Sequence, residues 1–171
     1  LHQDVHSFPT RRSSDLYQAV NYLNGKGEKV GVINVHLYRP FSAKHLQAVL
    51  PKTVKKIAVI DRTKEPGAMG EPLYLDIVNF AKTVGLDVDI IGGRAGLGSK
   101  DVLPEDILPV FEELQKDHPM HGFTIGIVDD VTNLSLPRAD KMPLDTTGLT
   151  ACKFWGFGSD GTVGANKNSV K

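Results

Sequence analysis

The sequence predicts an α/β protein: a mostly parallel sheet with helices on both faces, then the truncated start of a second α/β domain. Three observations carry this. Short runs rich in Val and Ile alternate with amphipathic stretches of about ten residues, as strands do when crossover helices join them. The runs are apolar throughout rather than alternating, which suits strands covered on both faces. Gly and Pro punctuate most of the junctions.

Residues 1–16 (LHQDVHSFPTRRSSDL) lack either period. HSFPTRRSSDL resembles a translated sequencing adapter, so residues 1–16 are expected to be a non-native, disordered arm. From Tyr17 the pattern is regular: Tyr17, Val20 and Leu23 mark one face of a helix that Gly25 and Gly27 close. Residues 29–38 (KVGVINVHLY) read as a buried strand. Ser42 is a suitable N-cap for a helix over 43–50. Residues 56–61 (KIAVID) form a second strand, and 62–70 a loop. A helix over 71–84 turns Leu73, Ile77, Phe80 and Ala81 inward. Residues 87–91 give a third strand, and 92–98 (GGRAGLG) a glycine-rich loop. Pro104 sits near the start of a helix with Ile107, Val110, Phe111 and Leu114 as its stripe. Residues 123–128 (FTIGIV) complete the set. The α/β domain thus spans 17–128, with each crossover expected to be right-handed. Residues 129–150 read as a linker, and 151–171 as the start of the next domain.

Composition narrows the function. The chain has 171 residues, 40% hydrophobic and 23% charged, an ordinary globular balance. Its 20 basic and 20 acidic residues cancel, so no net field favours nucleic acid or an anionic membrane. No apolar run approaches the roughly 20 residues of a membrane span. Cys152 is the single cysteine, which excludes an internal disulfide and a multi-cysteine metal site. No secretory pattern is seen, and a cytoplasmic location is expected.

The ligand-binding candidate is the terminal stretch 152–169 (CKFWGFGSDGTVGANKNS). An apolar run, Phe154, Trp155 and Phe157, enters a loop with glycines at 156, 158, 161 and 164. A strand, a glycine loop and a polar helix start can cradle a phosphate, because the free N–H groups of the first turn face the anion. GFGSDG formally matches G-x-G-x-x-G, and a generic tight turn explains it equally well. Lys167 could reach a phosphate as a point charge. Residues 164–169 are not a Walker A loop.

Other features favour a structural role. The 92–98 loop with Ser99 and Lys100 lies where turns are needed anyway. Asp61 and Arg62 end a strand, where open α/β sheets place ligands, but a salt-bridge cluster with Lys64 and Glu65 accounts for them too. Asp129 and Asp130 lack a third metal ligand. His118 and His121 read as solvated loop histidines, Cys152 as a buried inert thiol, and His36 and His45 as uninformative. No catalytic constellation appears. On residues alone, a non-catalytic interaction domain and a stand-alone nucleotide-binding module using GFGSDG both stay open.

Taken together, VGVINVHLYRPFS, IAVIDRTKEPGAMGEPLYLDI, GGRAGLGSKDVLP, FTIGIVDDVTNLSLP and CKFWGFGSDGTVGANKNSVK resemble the pyruvate:ferredoxin (flavodoxin) oxidoreductases from Tyr17 to Lys171. The resemblance implies an internal fragment of a longer enzyme: a second domain similar to the transketolase carboxyl-terminal domain, and the start of a coenzyme A-binding domain. It implies that Asp160, Gly161, Thr162, Val163, Gly164, Asn166 and Lys167 belong to the coenzyme A loop. Thiamine diphosphate, magnesium and iron–sulfur clusters are implied only for the rest of the enzyme, with ferredoxin or flavodoxin as electron partner and a homodimer as assembly. No position here matches a catalytic or metal residue of the family, so the fragment alone is expected to be inactive.

Overall fold

The computed structural model describes residues 10–128 and 131–143, with residues 155, 159, 161, 162, 164 and 165 of the terminal stretch. Its elements run α1 (Thr10–Gly25), α2 (Ala43–Val49), β1 (Lys56–Asp61), α3 (Pro72–Val84), β2 (Asp89–Ala95), α4 (Pro104–Gln115) and β3 (Phe123–Ile125). The strands form a parallel sheet in the order β1-β2-β3. The predicted class holds.

Local chemistry explains most boundaries. Ser42 caps α2 by accepting from the His45 N–H at 3.4 Å. Pro72 occupies the first turn of α3, where its missing N–H costs little. Gly85 ends that helix at φ +67°, the left-handed conformation that favours glycine. In α4, Asp106 accepts from the Leu103 N–H at 2.8 Å, so the third helical residue closes the helix start.

The register separates the two faces of the sheet. Val59 pairs with Gly92 and Asp61 with Arg94, which puts them on the face that α3 covers with buried Ile77, Phe80 and Ala81. Ile91, Ala95, Phe123 and Ile125 point to the other face. There they pack with Ile107, Leu108 and Val110 of α4 and with Ala19 of α1. Helices therefore lie on both faces, as expected. In a sheet ordered β1-β2-β3, connections over opposite faces have opposite hands, so the two crossovers are not both right-handed.

Five expectations are corrected. Residues 10–16 are helical rather than a disordered arm: with Ala19 fully buried and Leu16 and Leu23 against the core, a docked helix propagates toward its N-terminus at low cost. Residues 1–9 of that arm lie outside the described residues. Residues 29–38 form no strand, and 29–35 join no ladder among the described residues. Instead Asn24 clamps Val30 from both sides, its Nδ2 donating to the Val30 carbonyl at 3.1 Å and its Oδ1 accepting from the Val30 N–H at 3.2 Å. β2 runs on through Gly92, Gly93, Arg94 and Ala95, which were expected in a loop. β3 stops at Ile125, because Gly126 turns at φ +79°.

The fifth correction concerns the linker. Residues 131–143 dock onto the α/β domain: Leu136 and Met142 are buried in its core. Thr124 N–H donates to the Leu134 carbonyl and Leu136 N–H to the Thr124 carbonyl, both at 2.9 Å. Ala139 N–H donates to the Glu105 carbonyl at 3.1 Å.

Candidate functional site at the carboxyl edge of the sheet

The carboxyl ends of parallel strands are where an open α/β sheet places its ligands. Here that edge is filled from within. Asp61, the last residue of β1, is buried and accepts from the Leu73 and Tyr74 N–H groups, each at 3.1 Å. Glu71, the residue at the N-cap position of α3, makes no side-chain cap bond of its own, so Asp61 caps the helix from a distance. Burial pushes the Asp61 carboxyl above its ordinary range; the two backbone bonds oppose this, and the charges of Glu71 and Asp76 add to it. The N–H groups that could hold an anion are therefore already taken by a carboxylate of the chain itself. Buried Asp61 is thus a helix cap, where a surface salt-bridge cluster was the expected role. Nearby, Thr63 Oγ1 donates to Glu65 at 3.4 Å.

Beside it stands a pair that residue spacing did not reveal. Arg94 Nε donates to Glu71 Oε1, and Arg94 Nη1 to the Gly122 carbonyl at 2.7 Å. Glu71 is 1% exposed, and its Oε2 has no hydrogen-bond partner among the described residues. One signal could have found the pair: a lone arginine inside an apolar strand must meet a buried partner.

The glycines of the 92–98 stretch are packing residues. A Cβ on Gly93 would stand 2.2 Å from the Phe123 ring, and one on Gly92 would stand 3.0 Å from the Tyr74 ring. Gly92 N–H donates to His121 Nδ1 at 3.1 Å, and the His121 ring lies 4.7 Å from the Tyr74 ring. His121 is exposed, as expected of a loop histidine, and these two contacts fix the position of its ring. His118 is exposed. His45 Nδ1 shares a 2.7 Å hydrogen bond with Ser42 Oγ, at the start of α2. No three His, Cys, Asp or Glu gather as a metal site, and no helix is long and apolar enough to cross a membrane, among the described residues.

The terminal loop is described in part. Ser159 and Gly161 take positive φ, +57° and +81°, and Ala165 N–H donates to the Gly161 carbonyl at 3.0 Å, closing one helical turn. Among the described residues nothing stands within 4 Å of where a Cβ on Gly161 or Gly164 would be. Trp155 is 79% exposed. Asp160, Val163, Asn166 and Lys167 lie outside the described residues, as do Asp129, Asp130 and Cys152.

Residues 10–107 match the family described as pyruvate:ferredoxin oxidoreductase core domain II. The chain belongs to that family. It is 59% identical over 155 residues to a pyruvate-flavodoxin oxidoreductase of Klebsiella pneumoniae. It is 54% identical over 157 residues to one of Enterobacter agglomerans, and 53% over 154 residues to a pyruvate:ferredoxin oxidoreductase of Moorella thermoacetica. These matches cover 90%, 91% and 90% of this chain, and 13% of each relative. The chain thus spans about an eighth of their length. The core domain II match begins at residue 10, so residues 10–16, expected to be foreign, fall inside it.

Proposed function

We propose that this chain is a segment of a pyruvate:ferredoxin or pyruvate:flavodoxin oxidoreductase, and that its α/β domain is scaffold rather than catalytic machinery. The identity of 53% to 59% over nine-tenths of the chain carries this reading. The filled carboxyl edge of the sheet supports the scaffold role, since Asp61 takes up the α3 N-terminus that a ligand would need. The whole enzyme would convert pyruvate, coenzyme A and oxidised ferredoxin or flavodoxin to acetyl-CoA, CO2 and the reduced carrier. Thiamine diphosphate, magnesium and iron–sulfur clusters would be held by its other domains. A homodimer in the cytoplasm is the assembly and location that fit this reading, with no nucleic-acid or membrane partner.

Within this chain the candidate ligand element is the glycine-rich turn that the Ala165 N–H closes onto the Gly161 carbonyl. Asp160, Gly161, Thr162, Val163, Gly164, Asn166 and Lys167 would form part of the coenzyme A site, with backbone N–H groups and Lys167 meeting its phosphates. When bound, coenzyme A supplies the thiol that accepts the acetyl group. Lys167→Ala in the full-length enzyme should raise KM for coenzyme A about tenfold and leave KM for pyruvate unchanged, since losing one phosphate contact removes about 1.4 kcal/mol of binding. Equal coenzyme A saturation in both proteins would sink the loop assignment. Pyruvate oxidation by the isolated 171-residue chain would sink the scaffold reading.

A further inference from the structure

Gly92 is held by the two residues that precede β3. Gly122 N–H donates to the Gly92 carbonyl at 2.8 Å, as a ladder bond does. The Gly92 N–H instead donates to a side chain, His121 Nδ1, at 3.1 Å. The parallel ladder explains why this N–H is available. Asp89 N–H donates to the Lys55 carbonyl, and bonding to one neighbour falls on alternate residues, so the Ile91 N–H faces β1 and the Gly92 N–H faces β3. An imidazole thus takes the place of a backbone carbonyl just ahead of the first β2–β3 pair, Gly93 with Phe123.

Glycine at position 92 is what lets the ring approach. A Cβ there would stand 3.0 Å from the Tyr74 ring and 3.2 Å from His121 Cε1. The two rings lie 4.7 Å apart, tilted by 48°. A ring nitrogen that accepts a hydrogen bond carries no proton, so this contact requires the neutral imidazole with its proton on Nε2. A backbone carbonyl would accept at any pH. An imidazole accepts only while it is neutral.

The groups around the ring decide what a second proton does. With both nitrogens protonated, Nδ1–H and the Gly92 N–H are two donors facing each other, and the bond is lost. From β2, Arg94 brings a positive charge to the next residue, its Nη1 holding the Gly122 carbonyl at 2.7 Å. From α3, Glu71 is engaged by Arg94, and Tyr74 presents its ring. From α4, Glu113 is engaged by Lys116 and by the Met120 N–H at 2.7 Å. His118, in the same loop, is exposed. Among the described residues no carboxylate bonds the His121 ring, so none replaces the lost contact.

We propose that His121 is a proton-operated latch: the neutral ring fastens residues 116–122 to β2 at Gly92, and a second proton releases them while β1 and β2 stay paired. The latch is closed at neutral and alkaline pH and opens in the acid range where histidine changes charge. It belongs to the α/β domain alone and rests neither on the family nor on the coenzyme A loop.

Amide hydrogen exchange of the 171-residue chain, corrected for the intrinsic effect of pH, tests this. From about pH 8 to about pH 5, protection of the Gly92 amide should fall roughly fivefold to tenfold, the loss of one hydrogen bond. The Ile91 amide, which faces β1, should keep its protection. His121→Asn supplies a side-chain oxygen that accepts at every pH and leaves His118 and Glu113 in place, so its Gly92 protection should stay level. A level wild-type curve, or the same fall in both proteins, overturns the proposal. A parallel loss at Ile91 also overturns it, because the whole domain would then be opening. The ring gives a second reading that needs no variant. Its nitrogen NMR shifts at the alkaline end should show a proton on Nε2 and none on Nδ1; a proton on Nδ1 rules the latch out.

Discussion

Arg138 grips Asp106 with two hydrogen bonds, Nε to Oδ1 at 2.7 Å and Nη2 to Oδ2 at 3.0 Å. Asp106 is buried at the start of α4, and its Oδ2 also holds the Leu103 N–H. One carboxylate thus closes a helix and pins residues 131–143 to the domain. Arg138→Ala should lower stability by about 1–2 kcal/mol, less than for a fully buried pair because the arginine is half exposed. Arg138→Lys should recover less than half of that, since an ammonium cannot make the two-pronged contact. Urea unfolding reads both, and limited proteolysis should show earlier cutting within 131–143.

Arg94→Met should cost more. It leaves the Glu71 carboxylate, 1% exposed, without its cation in the space between β2 and α3. Removing one partner of a buried pair costs roughly 3–5 kcal/mol. The double variant Arg94→Met with Glu71→Gln should be more stable than Arg94→Met alone, because the uncompensated charge is gone. If the double change is instead the less stable, the uncompensated Glu71 charge is not what Arg94→Met costs.

These contacts mark the limit of what the sequence makes legible. The βαβ pattern, the Ser42 cap, the Pro104 start and the inner faces of α3 and α4 follow from local rules, and each holds. What failed depends on distant partners. Residues 29–38 have strand composition, but a strand also needs a neighbour to pair with. Residues 131–143 look polar in a list, yet Leu136 and Met142 are enough to anchor them in the core. Glycine 92 and 93 suggested a loop, whereas the reason for glycine is the ring of a side chain on the next strand or helix. The capping of α3 by Asp61 spans 12 positions, beyond any local motif.

Gly93→Ala tests that last kind of constraint. The added methyl would meet the Phe123 ring at 2.2 Å, and Phe123 is fully buried, so the ring has nowhere free to turn. Overpacking of this sort costs about 1–3 kcal/mol. Phe123→Leu costs stability alone by leaving space, but combined with Gly93→Ala the two losses should partly cancel. A double-mutant cycle by urea unfolding should therefore give a total loss smaller than the sum; strict additivity would show that the two positions do not compete for volume.

Two buried carboxylates should shift stability with pH in opposite directions. Asp61 is held above its ordinary range, first by burial, so between the unfolded and folded values the native state binds more protons than the unfolded one. Stability from this group therefore falls as pH rises through the window that starts near the usual aspartate value. Glu113 is the reverse. Burial alone would raise it, but Lys116 at 2.6 Å, the Met120 N–H at 2.7 Å and the Lys116 charge together hold it below the ordinary glutamate range. Its contribution is present above the unfolded value and is lost as pH falls through the folded one. Measured by urea unfolding across the acid range, Asp61→Asn should show its smallest penalty at the high end of the Asp61 window, where the wild-type carboxylate is charged and desolvated. Glu113→Gln should show its largest penalty at neutral pH, converging on the wild type as the solution is acidified. Parallel curves for the two variants would refute the opposite signs assigned to the groups.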